Sequence, residues 1–252
     1  MKSFMLSLIL FCTATVVVHA QSDSISLAAA DSLFEHYQWQ EALDAYNQIL
    51  AGDTDNFDAL WRSSLLYARI GNGFEEEVKQ RNYFKKAEKR AWHALQVDST
   101  NSQSNYVMAV AMGRMALIGG AKERVAASRA IKKYGELALK YDSTNAGAWH
   151  LLGRWNYEVS NLNFAERLAA NVLFGGLPDG ASTDTAAQYI ERAIELKDDY
   201  LLYYYDLARV YDELDKDQQA ITVCQKVLEM PDKSPDDPEI KADCQNIIND
   251  LQ

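Results

Sequence analysis

The side chains with most chemistry to offer in this 252-residue chain are its histidines, paired acids and arginines, and their spacing sorts the reactions open to them. His19, His36, His93 and His150 stand far apart, without the His-x-x-x-His or carboxylate spacing that holds a metal. Gly119–Arg124 reads GGAKER, which lacks the length and the Lys-Ser/Thr of a phosphate loop, and no Gly-x-Ser-x-Gly nucleophile turn occurs. Asp198-Asp199 and Asp236-Asp237 fall at helix ends, where capping is the readier use of a carboxylate than acid–base work. The expectation is a chain with no catalytic residue, no metal and no cofactor.

The arginines behave differently. Four segments carry a stripe at i, i+4, i+7, i+8: Arg62, Leu66, Arg69, Ile70, then Tyr106, Val110, Gly113, Arg114. His150, Arg154, Tyr157, Glu158 and Tyr205, Arg209, Asp212, Glu213 complete the set. That spacing places each stripe on one helix face. Five arginines and three tyrosines gather there in a chain of net charge −11, an asymmetry that points to an anionic ligand. A guanidinium fork holds a carboxylate in two hydrogen bonds, and Arg and Tyr are enriched at binding hot spots. The opposing reading stays open at this point: the same arginines can answer Glu158, Asp212 and Glu213 in a solvated ion-pair network.

Composition narrows the classes. With 25 Lys+Arg against 36 Asp+Glu and a pI near 4.8, the chain is a poor match for nucleic acid or an anionic membrane surface. Three Cys are too few for a disulfide framework, and four Pro with twelve Gly argue against disorder. Met1–Ala20 has one Lys, an apolar run from Phe4 to Val18 and small residues at Val18 and Ala20, the pattern of a signal peptide cut after Ala20. Residues 21–252 would then be exported, to the periplasm or outside the cell. Losing Lys2 leaves 24 basic against 36 acidic residues, a net charge of −12. No later apolar run approaches the roughly twenty residues of a spanning helix, so none is expected in the mature chain.

The elements that must position these side chains are helices, since apolar residues recur at three- and four-residue spacing throughout. VDSTN at Val97–Asn101 returns as YDSTN at Tyr141–Asn145, each after an Ala-rich amphipathic helix. Five copies of this helix-plus-turn unit follow one another at intervals of 45, 44, 55 and 34 residues. The interval from Ala186 to Ala220 is the tetratricopeptide period, and the preceding helices carry that repeat's large–Leu–small–Tyr pattern: Trp61, Leu65, Ala68; Trp149, Leu152, Gly153, Asn156; Tyr204, Leu207, Ala208, Tyr211. The longer intervals predict insertions of about ten residues around Gly71–Gly73 and about twenty through 160–184. Pro238–Leu251 predicts a last, capping helix, with Asp236 or Asp237 as its cap.

The segment LLGRWNYEVSNLNFAERLAANVLFG (Leu151–Gly175), with the preceding YVMAVAMGRMALIGGAKERVAASRAIKKYGELALKYD, resembles the signature stretch of the regulator of microtubule dynamics family. The likeness runs from about Asn101 to Tyr211 and implies a helical-repeat scaffold. The export signal departs from the family's eukaryotic members and resembles an exported bacterial type, so microtubule regulation enters by family analogy only. The expected fold is an all-α, tetratricopeptide-like solenoid over 21–252, with about five helix pairs and a cap near 238–251. In such solenoids the arginine stripe lines the concave side. The expected function is a non-catalytic scaffold holding an extended peptide or protein segment with acidic or carboxylate groups. Its groove would comprise Arg62, Arg69, Tyr106, Arg114, His150, Arg154, Tyr157, Tyr205 and Arg209. Two alternatives stand beside it: an envelope enzyme or glycan-processing accessory with the 160–184 insertion as a lid, and an oligomerisation module with an apolar outer face. Cys224 and Cys244 lie equally far from the last turn, so they should be neighbours, either disulfide-bonded or packed as reduced thiols.

Overall fold

The computed structural model describes residues 25–252, so the signal-peptide reading of Met1–Ala20 lies outside the described residues. Those residues form twelve α-helices and no strand. The pairs are α1 (Leu27–Glu35) with α2 (Trp39–Gly52), α3 (Phe57–Asn72) with α4 (Glu77–Val97), and α5 (Ser102–Leu117) with α6 (Ala121–Tyr141). Then α7 (Ala146–Ser160) pairs with α9 (Thr183–Leu196), with α8 (Phe164–Leu173) inserted between them in the chain. The last pair is α10 (Leu201–Glu213) with α11 (Asp217–Glu229), and α12 (Asp237–Asp250) packs against both. Each pair leans on the next, and this is the all-α helical-repeat solenoid expected from the sequence.

The repeated turn residues each have a task. Asp98 Oδ1 accepts from the Thr100 amide at 2.9 Å and its hydroxyl at 2.8 Å, and Asp142 does the same for Thr144 at 2.8 and 2.6 Å. The Asn that follows caps the next helix: Asn101 Oδ1 accepts from Gln103 N, and Asn145 Oδ1 from Ala148 N. Such a cap satisfies an amide that the helix leaves unpaired and contributes about 1 kcal/mol. Asn145 Nδ2 also donates to Ser102 Oγ at 2.9 Å, tying one turn to the start of the preceding pair.

Small residues set the helix spacing. A Cβ on Gly153 would lie 2.6 Å from Ile190 Cγ1 and 3.2 Å from the Ala186 carbonyl, so α7 reaches α9 only because nothing is there. Gly71 works likewise against Tyr83 and Phe84. Of the glycines at 71–73, Gly73 ends α3 as its C-cap, but Gly71 does not interrupt the helix. Gly71 is helical and buried, α3 runs on to Asn72, and the extra residues lengthen α4 to 21 residues. The second insertion does leave the repeat. It holds α8, opened by a capping box between Asn163 and Glu166, then the turn around Gly175, Gly176 and Gly180, all at positive φ. Ser182 caps α9.

Candidate functional site

The inner helices α3, α5 and α7 present Arg69, Arg114 and Arg154 to one cavity of about 1020 Å³, and α10 adds Leu202 and Tyr205. Both ends of the solenoid reach the same cavity. Trp39, just past the α1–α2 turn, and Pro235 and Asp236, just before α12, form part of its wall. The coil has thus curled until its first hairpin meets its last turn, and the meeting point is Arg69. The Arg69 guanidinium donates to Asp236 Oδ2 at 2.9 Å and to the Tyr200 hydroxyl, and it lies 4.7 Å above the Trp39 ring.

The three arginines differ in how their charge is met. Burial would push Arg69 down, but Tyr200 and Asp236 hold its pKa above the ordinary value. Arg154 has only long contacts, 3.8 Å to Glu158 and 3.7 Å to Asp206. Arg114 donates to Asn72 Oδ1 at 2.8 Å and, among the described residues, has no carboxylate within 4.0 Å. Burial first, then repulsion from Arg154 and Arg69, drives its pKa down to about 10. A guanidinium under that stress is relieved by an anion. Four carboxylates, of Glu41, Glu75, Glu239 and Asp243, also border the cavity. The Trp39 indole N–H is buried without an acceptor.

Of the nine residues expected in the groove, Arg69, Arg114, Arg154 and Tyr205 line this cavity, and five do not. Arg62 turns to Asp58 at 2.5 Å and Asp31 at 3.3 Å, with its fork over Trp61, so the i, i+4 acid of its own helix claims it. Tyr106 lies behind the wall, packed on Gly147, its hydroxyl pushed up to about 12 by burial. His150 is buried in the α7–α10 contact, 2.7 Å from Asp206 and stacked on Tyr203. Arg209 pairs with the same Asp206 at 3.4 Å and covers the Tyr157 ring. Burial would raise the Asp206 carboxyl, but Arg154, His150 and Arg209 together carry it below its ordinary value. Of the stripe's apolar members, Leu66 is core rather than lining. Arg62 and Arg209 thus answer acids, though Asp58, Asp31 and Asp206 rather than Glu158, Asp212 and Glu213, while Arg114 meets none among the described residues.

Trp39, Asn72, Tyr200 and Asp236 were not anticipated. Asp236-Asp237 was expected to cap, and one of the two departs from that: Asp236 occupies the N-cap position of α12 without a side-chain cap bond. Asp237 does the local work, accepting from Lys233 N, Ser234 N and Ser234 Oγ. Cys224 and Cys244 are fully buried free thiols in one core cluster, where each acts on the other, lowering Cys224 and raising Cys244. No residue of 160–184 lines the cavity. Instead α8 leaves Phe164 81% and Val172 70% exposed, with Leu168 and Leu173 beside them. Among the described residues no cluster of three potential metal ligands occurs, and no helix is long and apolar enough to cross a membrane.

A solenoid of paired helices with a lined interior defines a tetratricopeptide-type helical-repeat protein. A solved structure with this fold is TTC0263, a thermophilic TPR protein of Thermus thermophilus, at a TM-score of 0.64 and 14% identity over 88% of this chain and 97% of that one. Residues 26–252 match the family described as Regulator of microtubule dynamics protein 1-3, and the chain belongs to that family. Regulator of microtubule dynamics protein 3 of Bos taurus is 27% identical over 205 residues, 80% of this chain and 42% of its own length. Regulator of microtubule dynamics protein 1 of Caenorhabditis elegans is 23% identical over 227 residues, 88% of this chain and 98% of its own. The chain thus spans less than half the length of the vertebrate protein 3 relatives it matches.

Proposed function

We propose that this chain is a non-catalytic interaction scaffold that holds an acidic, carboxylate-bearing protein segment in the cavity inside its coil. The observation that carries it is Arg114, a deep guanidinium facing that cavity with Asn72 as its partner and no carboxylate. Arg154, with only long contacts, supplies a second fork beside it. Tetratricopeptide-type solenoids are built to present such concave surfaces. The Met1–Ala20 pattern supports an exported setting, periplasmic or secreted, which intact-mass analysis of exported protein tests: retention of Met1 would sink it. What passes from the family is the scaffold, and a role in microtubule dynamics rests on the relatives' names alone.

The binding test uses fluorescein-labelled hexaglutamate, with hexaglutamine as the neutral control. Arg114→Gln and Arg154→Gln should each weaken hexaglutamate binding severalfold, since a partly exposed charge pair contributes up to about 1 kcal/mol. Helicity and thermal midpoint should hold. Equal binding of both peptides, or no loss in either variant, would refute the reading. One observation favours a second reading, self-association: the exposed apolar face of α8. Light scattering decides it, since a monomeric chain unchanged by Phe164→Asp removes that reading.

A further inference from the structure

The last turn of the solenoid is fastened to α3, near its other end, by a contact whose chemistry matches that of the ligand proposed above. Asp236 comes from the last turn, 167 positions along the chain from Arg69, and its carboxylate occupies one of the three arginines of the cavity. It makes no helix-capping bond, because Asp237 already secures that turn. Nothing local requires an acid at 236. Its side chain is 55% exposed, so water competes for it, and a pair in that setting holds weakly. The Arg69 guanidinium also lies over the Trp39 ring, whose indole N–H is buried without an acceptor. A contact held this lightly can be shifted by any ligand that favours one of its two states.

We propose that Asp236 is the scaffold's own stand-in ligand. Its carboxylate clasps Arg69 of α3 and holds that helix, with Trp39 of α2 beneath the guanidinium, against the last turn; an acidic segment entering beside Arg114 takes over Arg69, frees Asp236 and lets the last turn move away from the first pairs. The exchange conserves charge at Arg69, one carboxylate leaving as another arrives. It also accounts for the unequal arginines: Arg69 is kept occupied, and Arg114 is left for the incoming acid to find first. The occupant is the carboxylate-bearing segment of the preceding section, and the inference rests on that reading.

The test uses the full chain with Cys12→Ser and spin labels at Glu35→Cys and Ala242→Cys, both exposed and outside the cavity wall. Cys224 and Cys244 are sealed and stay unlabelled in the folded protein. Electron–electron resonance distances and hexaglutamate affinity are measured together. A single short distance is expected without peptide, lengthening at saturation. Asp236→Asn should lengthen it without peptide and bind hexaglutamate at least threefold tighter, while Asp236→Glu restores the parent behaviour. Matching thermal midpoints confirm that the variants fold. If hexaglutamate binds and Arg114→Gln loses it, but Asp236→Asn changes neither distance nor affinity, the clasp is refuted and the cavity reading survives. If hexaglutamate binds no better than hexaglutamine, the cavity reading falls and the exchange falls with it.

Discussion

Asp206 is the buried acid on which three basic side chains converge. It is 4% exposed and accepts from His150 at 2.7 Å and from Arg209 at 3.4 Å, with Arg154 at 3.7 Å. Asp206→Asn leaves those groups facing an amide and should cost about 3 kcal/mol in urea unfolding, the loss typical of a broken buried pair. Because its folded pKa lies below the ordinary 3.8, this carboxylate's contribution is present above that value. It is lost as pH falls through the depressed folded value, so the parent-minus-variant difference should shrink only in acid. A difference constant down to pH 3 would contradict it. At the end of the chain, Cys224 and Cys244 lie as free thiols in one buried cluster. Diamide followed by reductant-free peptide mapping should yield one linked peptide, closing a loop that by the chain-entropy estimate adds roughly 3 kcal/mol. Two alkylated thiols would leave them as packing alone. The sequence revealed the neighbourhood of these cysteines from their equal distances to the turn. It could not say which arginines meet an acid, because Arg69 and Arg114 both stand near the end of such a stripe and differ in what the fold brings near them, Asp236 reaching Arg69 alone.

Among the elements, spacing is decided by what is missing from Gly153. Gly153→Ala puts a methyl against Ile190 and the Ala186 carbonyl and should lower stability by about 1–3 kcal/mol. Gly52→Ala, at the end of α2 with nothing within 4 Å, should raise it by a few tenths to about 1 kcal/mol. Opposite signs for the same chemical change isolate packing from backbone freedom, and equal signs would defeat the explanation. Helix pairing was legible here because small residues, Asn caps and Asp-Thr turns are local and repeat. The extra residues near Gly71 were not, since a glycine that ends a helix and one that admits a neighbouring ring look the same until the neighbour is known. Tyr83 and Phe84 supply that neighbour.

For the molecule as a whole, the apolar end is sealed by α12, where Ile240, Cys244 and Ile248 cover Leu201, Ile221 and Val227. Deleting residues 231–252 should lower the thermal midpoint by ~10 °C or more, given about 1.5–3 kcal/mol per uncovered aliphatic side chain, and should create dye-binding apolar surface. An unchanged midpoint would mean that the cap covers little. The number of helix pairs could be counted in the sequence, but the curl could not. It accumulates from small rotations at each pair, and no single residue encodes the meeting of Trp39 with Pro235 and Asp236.

That meeting changes the kind of object the array is. A line of nearest-neighbour units melts inward from two loose ends, each lost at little expense to the rest. Joined through Arg69 of α3 and Asp236, the line becomes a circuit, and the turn that leads into α12 cannot move away from the second pair without breaking that bond. Hydrogen exchange at the C-terminal turn of α3 and the first turn of α12 should therefore rise and fall as one process, and added salt, by loosening a single partly exposed ion pair, should return the circuit to a line.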